Sequence, residues 1–146
     1  MSIKKILIAV DDSAYSIKAA STGFALADSL QAMIAVLYVV DKSREIINGD
    51  LGITPEQSRS ALLEEAENVL EQYIKMYNHI GKIIRFTPEG LPETEILNIA
   101  REWEADLIVM GTHGRSGLDH ILAGSVAEQV IRHAEIPVLV IPPGMK

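Results

Sequence analysis

Apolar positions along this chain fall into two kinds of segment that take turns. Short unbroken runs rich in β-branched residues recur at 3–10 (IKKILIAV), 33–40 (MIAVLYVV), 82–86 (KIIRF), 107–110 (LIVM) and 138–141 (VLVI). Runs of this length, apolar throughout, predict strands buried on both faces. Between them the apolar residues space out to a helical period. A helix over 14–30 is expected to bury Ile17, Ala20, Phe24 and Ala27, with Ser13 as its N-cap. A second helix starts at Thr54-Pro55 and carries Leu62, Ala66, Val69, Leu70, Tyr73 and Tyr77 on one side. Glu64, Glu65, Glu67 and Glu71 fall on its other side, as a solvated face. A third opens at Pro92 with the stripe Ile96, Ile99, Ala100 and Trp103, and a fourth covers 125–134.

The order is therefore β-α-β-α-β-α-β-α-β. Strict alternation with apolar strands implies a five-stranded parallel sheet with helices on both faces. Right-handed crossovers make it doubly wound, a Rossmann-like arrangement in which strand order 3-2-1-4-5 sets the first and fourth strands side by side. The length, 146 residues, fits one domain over 1–146. Ligands of such sheets lie beyond the carboxyl ends of the strands, where strand order reverses.

Composition narrows the partners. Net charge is −7, which argues against a nucleic-acid backbone or an anionic membrane as partner. There is no cysteine, so disulfides, thiolate catalysis and Cys-type zinc sites drop out. No window reaches the ~18 apolar residues of a membrane span, and residues 1–13 lack the pattern of a signal peptide. A cytoplasmic protein is expected.

The chemistry concentrates in residues 105–142, ADLIVMGTHGRSGLDHILAGSVAEQVIRHAEIPVLVIP. A strand ends at Gly111, glycines follow at 114, 117 and 124, and Ser125 opens a helix. Backbone N–H groups at a glycine-rich loop and a helix N-terminus bind phosphate. The Lys of a Walker-type loop is missing, and neither G-x-x-x-x-G-K-[ST] nor G-x-G-x-x-G is present. Gly111 and Gly114 allow close backbone approach, and the Ser125 hydroxyl either donates to phosphate or caps its helix. Arg115 is the basic residue of the loop. Asp11 ends the first strand, across the crevice from Gly111, where a carboxylate either accepts from ribose hydroxyls or closes a turn with Asp12. Of four histidines, His113 lies in the loop, His120 beside Asp119 has no nucleophile to serve, and His79 and His133 stand near helix carboxyl ends. No His spacing suits a metal, and no catalytic residue or metal ligand is assigned. Trp103 completes a core stripe.

Together these residues resemble the universal stress proteins over essentially the full length. ILIAVDDS is similar to the opening strand and Asp turn of that family. Gly111-x-x-Gly114, nine residues, then Gly124-Ser125 is similar to the glycine pattern of its ATP-binding branch. The resemblance implies ATP or another adenine nucleotide as ligand. Asp11 would meet its ribose or adenine side, and Val39 would offer backbone to the adenine edge. Ala9 and Val10 would line the pocket, and Met110, Gly111, His113 and Gly114 would border sugar and phosphates. Gly124, Ser125 and Val126 would contact phosphate. Mg²⁺ or Mn²⁺ would be carried on the phosphates. It further implies a homodimer formed through the last strand, from Pro137 to Ile141, whose exposed edge needs cover. The function implied is that of a nucleotide-dependent regulator in stress response. Slow ATP hydrolysis or autophosphorylation on the same fold is the alternative, although the His-x-Gly-His signature of nucleotidyl transferases is absent. The loop 41–54 is long for a connection and is expected to act as a lid.

Overall fold

The computed structural model describes residues 2–41, 52–77, 82–112 and 125–143. Within them run β1 (Lys5–Ala9), α1 (Tyr15–Leu30), β2 (Met33–Leu37), α2 (Pro55–Met76), β3 (Ile83–Phe86), α3 (Pro92–Trp103), β4 (Leu107–Gly111), α4 (Ser125–His133) and β5 (Val138–Ile141). The sheet order is β3-β2-β1-β4-β5 and every pairing is parallel. This is the doubly wound arrangement expected of the alternating pattern. The central registers, Ile8 opposite Val36 and Ile8 opposite Val109, set β1 between β2 and β4.

Side chains of a strand alternate between the two faces of its sheet, so each strand feeds two cores. Ile6, Ile8, Ile34, Val36 and Val109 pack with Ala20, Phe24, Ala66 and Leu70 under α1 and α2. Leu7, Ala35, Leu37, Ile108 and Met110 pack with Ile96, Ala100, Ala127 and Val130 under α3 and α4. Burial on both faces is what the continuously apolar strand segments required. α2 starts where Thr54-Pro55 placed it. The Thr54 hydroxyl accepts from the Gln57 N–H at 3.1 Å, and the Gln57 side chain accepts from the Thr54 N–H at 3.0 Å. A reciprocal cap of this kind contributes about 1 kcal/mol.

Two expectations about α1 need correction. Ile17 is not in the buried stripe but is 46% exposed. The stripe is Ser16, Ala19, Ala20, Gly23, Phe24 and Ala27, one residue round from the expected start. Close approach decides this: a Cβ on Gly23 would stand 2.7 Å from Ile8 Cδ1, so only small residues fit where α1 crosses β1. Ser13 is also not the cap. The N-cap position is Ala14 and it makes no side-chain cap bond, because Ser13 is turned to Asp11 instead. The strands are shorter than the apolar runs. β1 begins at Lys5 and β2 ends at Leu37, after which Val40 makes an isolated parallel bridge to Glu89. The lid expected in 41–54 falls largely on residues 42–51, outside those described.

Candidate functional site

The sheet brings Ala9, Val10, Asp11, Val39, Met110 and Gly111 to one end, where β2, β1 and β4 finish side by side. Ala9, Val10 and Met110 are buried, whereas Asp11, Val39 and Gly111 are half-exposed at the rim. Alternation then divides them. Ala9 and Met110 belong to the core beneath α3 and α4, and Val39 and Val126 pack against the same core. Val10 faces α1 and α2. Val126, the second residue of α4, thus shares a sheet face with Ala9, Met110 and Val39. Ser125 is the first residue of α4. His113, Gly114 and Gly124 lie outside the described residues, as do Arg115, Gly117, His79, His120 and the side chain of Ser125.

Backbone bonding singles out Val39. The N–H of Tyr38 donates to Phe86 O at 3.0 Å, and that of Val40 donates to Pro88 O at 2.7 Å, both toward the β3 side. On the other side Leu37 O accepts from the Val10 N–H at 2.9 Å. Successive residues of a middle strand turn their backbone groups to opposite neighbours, so Val39 presents its N–H and C=O to the β1 side. There the chain has already left the sheet at Asp11. Among the described residues no backbone bond satisfies Val39, an unusual position for groups whose pairing is close to obligatory. One donor and one acceptor therefore sit together at the crevice wall, the complement of a heterocycle edge that carries both.

Asp11 is held by its own turn. Its Oδ1 accepts from the Ser13 N–H at 2.8 Å, from the Ser13 hydroxyl and from the Ser16 hydroxyl at 2.9 Å. Its N–H donates to Ser16 Oγ at 2.9 Å, and its carbonyl accepts from the Tyr73 hydroxyl at 3.1 Å. Burial pushes the Tyr73 phenol up to about 12, against the lowering effect of Ser16 and with help from the negative charges of Asp11 and Asp12. Sequence did not single out Ser16, and it placed Tyr73 only in the apolar stripe of α2. The available signal was a Ser on the buried side of an amphipathic helix, where Ala would otherwise serve.

The remaining singled-out residues have ordinary structural settings. Trp103 packs edge-on to Phe86, with Lys5 Nζ 5.5 Å from its ring centre. The His133 ring Nδ1 lies 2.9 Å from Gln129 O, near the end of α4. Among the described residues no group of three His, Cys, Asp or Glu could hold a metal ion, and no helix is long and apolar enough to cross a membrane.

The model of the universal stress protein family matches residues 2–142. The chain is 41% identical over 143 residues to Universal stress protein MJ0531 of Methanocaldococcus jannaschii, covering 94% of this chain and 81% of that protein. The solved structure of MJ0577, from the same organism, superposes with a TM-score of 0.87 at 31% identity and covers 100% of both chains. That work describes a structure-based assignment of the biochemical function of a hypothetical protein. The universal stress protein of Archaeoglobus fulgidus in complex with dAMP shares the fold, with a TM-score of 0.58 at 22% identity over 97% of this chain and 99% of that one. With its strand order, crevice and whole-length match in agreement, this chain belongs to the universal stress protein family.

Proposed function

We propose that this chain binds an adenine nucleotide, ATP foremost, at the carboxyl ends of β2, β1 and β4, and that it works as a homodimeric, nucleotide-dependent regulator in stress response. The observation that carries the reading is Val39: a backbone donor and acceptor turned into the crevice, as an adenine edge requires. Asp11 supports it. Its Oδ1 is occupied within the turn, and among the described residues Oδ2 makes no hydrogen bond, which leaves an acceptor for a ribose hydroxyl. Ala9, Val10 and Met110 supply apolar lining and Gly111 the wall toward the phosphates. Ser125 and Val126, in the first turn of α4, would offer N–H groups and a positive dipole end to phosphate, joined by Gly124, Gly114 and His113. That the Archaeoglobus fulgidus protein is a dAMP complex agrees with this, although at 22% identity the likeness carries the fold alone.

A divalent ion, Mg²⁺ or Mn²⁺, would be carried on the phosphates. Arg115, the basic residue of the loop, lies outside the described residues, so only binding is carried forward. The dimer would form through β5, an edge strand of the sheet.

Isothermal titration with Mg·ATP tests the reading. Saturable binding at micromolar nucleotide is expected, and Gly124→Val should abolish it by blocking backbone approach to phosphate. No heat at millimolar ATP would remove the proposal.

A further inference from the structure

Ser16 is one of two buried polar residues among those described, at 5% exposure, on the α1 stripe otherwise made of Ala, Gly and Phe. Its hydroxyl donates to the Asp11 carboxylate and accepts from the Asp11 N–H, both at 2.9 Å. Tyr73, from the last turn of the next helix, donates to the Asp11 carbonyl at 3.1 Å. One aspartate is thus tied at its N–H, its carbonyl and one carboxylate oxygen, from two helices. A carboxylate that merely closes a turn with Asp12 would not need this. The donors also converge on a single oxygen, Oδ1. That fixes the rotation of the carboxyl group and reserves its other oxygen.

We propose that Ser16 and Tyr73 are positioning residues which, with Ser13, hold the Asp11 carboxylate so that Oδ2 alone meets the ligand, and that this brace sets the selectivity of the site for the ribose hydroxyls of a nucleotide. The inference rests on the adenine-nucleotide reading above and says which part of the ligand is read and by what support. A hydroxyl bonded to an ionised, pre-oriented acceptor is a strong neutral-to-charged contact, and a carboxylate free to rotate gives much of it up to solvent and to entropy.

The test compares ATP with 2′,3′-dideoxy-ATP by titration calorimetry on the full chain. The wild type should prefer ATP by about tenfold or more, the size of one lost hydrogen bond to a charged group. In Ser16→Ala the preference should shrink to about threefold or less, through weaker ATP binding, with the affinity for dideoxy-ATP unchanged. Ser16→Thr, which keeps the hydroxyl, should restore the preference. Tyr73→Phe removes one donor and should shrink it less, and it decides the matter if Ser16→Ala does not fold. Wild-type preference retained in both variants overturns the brace while leaving the nucleotide reading intact. Equal weakening of both nucleotides also overturns it, since that is the mark of general damage. A wild-type protein that binds neither nucleotide removes the nucleotide reading and this inference with it.

Discussion

The two edges of the sheet differ in how they meet solvent. At β3, Phe86 O accepts from Tyr38, so alternate residues turn their backbone to β2, and those of Ile83 and Arg85 face outward. This edge carries a charge: Arg85 is exposed and reaches Glu71 of α2 at 2.8 Å. At β5, Pro137 O and Ile141 O accept from Ile108 of β4 and from Thr112 just after it, so Val138 and Val140 turn their backbone groups outward. All four residues of β5 are apolar. Charged side chains are a common guard against edge-to-edge pairing, and a bare apolar edge invites it. The pair of edges therefore points the proposed dimer to β5 rather than β3, on grounds independent of family.

The largest effect should come from Val140→Pro. Proline removes the outward N–H and leaves the bonds to β4, which run through the flanking residues. Light scattering on a sizing column should show the dimer replaced by monomer. Arg85→Pro at the equivalent outward position of β3 should leave the stoichiometry unchanged. A Val140→Pro protein that stays dimeric would move the interface elsewhere.

The centre of the sheet offers neither edge's tolerance. A Cβ on Gly23 would lie 2.7 and 2.9 Å from two atoms of Ile8 and 3.4 Å from Val109 Cγ1, and both side chains are fully buried. Gly23→Val must push the Ile8 side chain aside within a closed core and should cost ~3 kcal/mol, read as a lower urea midpoint. A loss below ~1 kcal/mol would show that α1 can slide over the sheet.

Much of this was readable in the sequence. Unbroken apolar strands must be buried on both faces, which forces helices onto both sides and leaves little choice of topology. The Thr54 cap was readable because capping is local. What stayed hidden depends on partners distant in sequence. Ile17 looked like core because a helical period alone does not say which of two adjacent residues faces the sheet, and the approach of Gly23 to Ile8 settles that. Ser13 had the composition of a cap, but the Asp11 carboxylate two residues earlier competes for it. Asp11 was placed by its position at a strand end. Its support by Tyr73 spans 62 residues and leaves no local trace. The backbone groups of Val39 follow only from strand register, which no side-chain pattern records.

The smallest stability change should accompany Arg85→Val, which tests whether charge is what distinguishes the edges. The Arg85–Glu71 pair is exposed on both sides, at 42% and 40%, so it is screened and contributes at most ~1 kcal/mol. Valine suits a strand and offsets part of that loss, so the unfolding midpoint should move by less than ~1 kcal/mol. Association should respond differently. With Arg85 gone, β3 reads as uninterrupted apolar residues from Ile83 to Phe86, and its outward backbone groups lose their guard. Sedimentation velocity across a concentration series should then reveal species larger than the proposed dimer, built through a second edge. Glu71→Gln breaks the same pair but keeps Arg85 on β3, so it should leave the sedimentation profile as in wild type. If Arg85→Val sediments as wild type does, charge is not the guard, and cover by the Glu71 side of α2 becomes the better account of why β3 stays single.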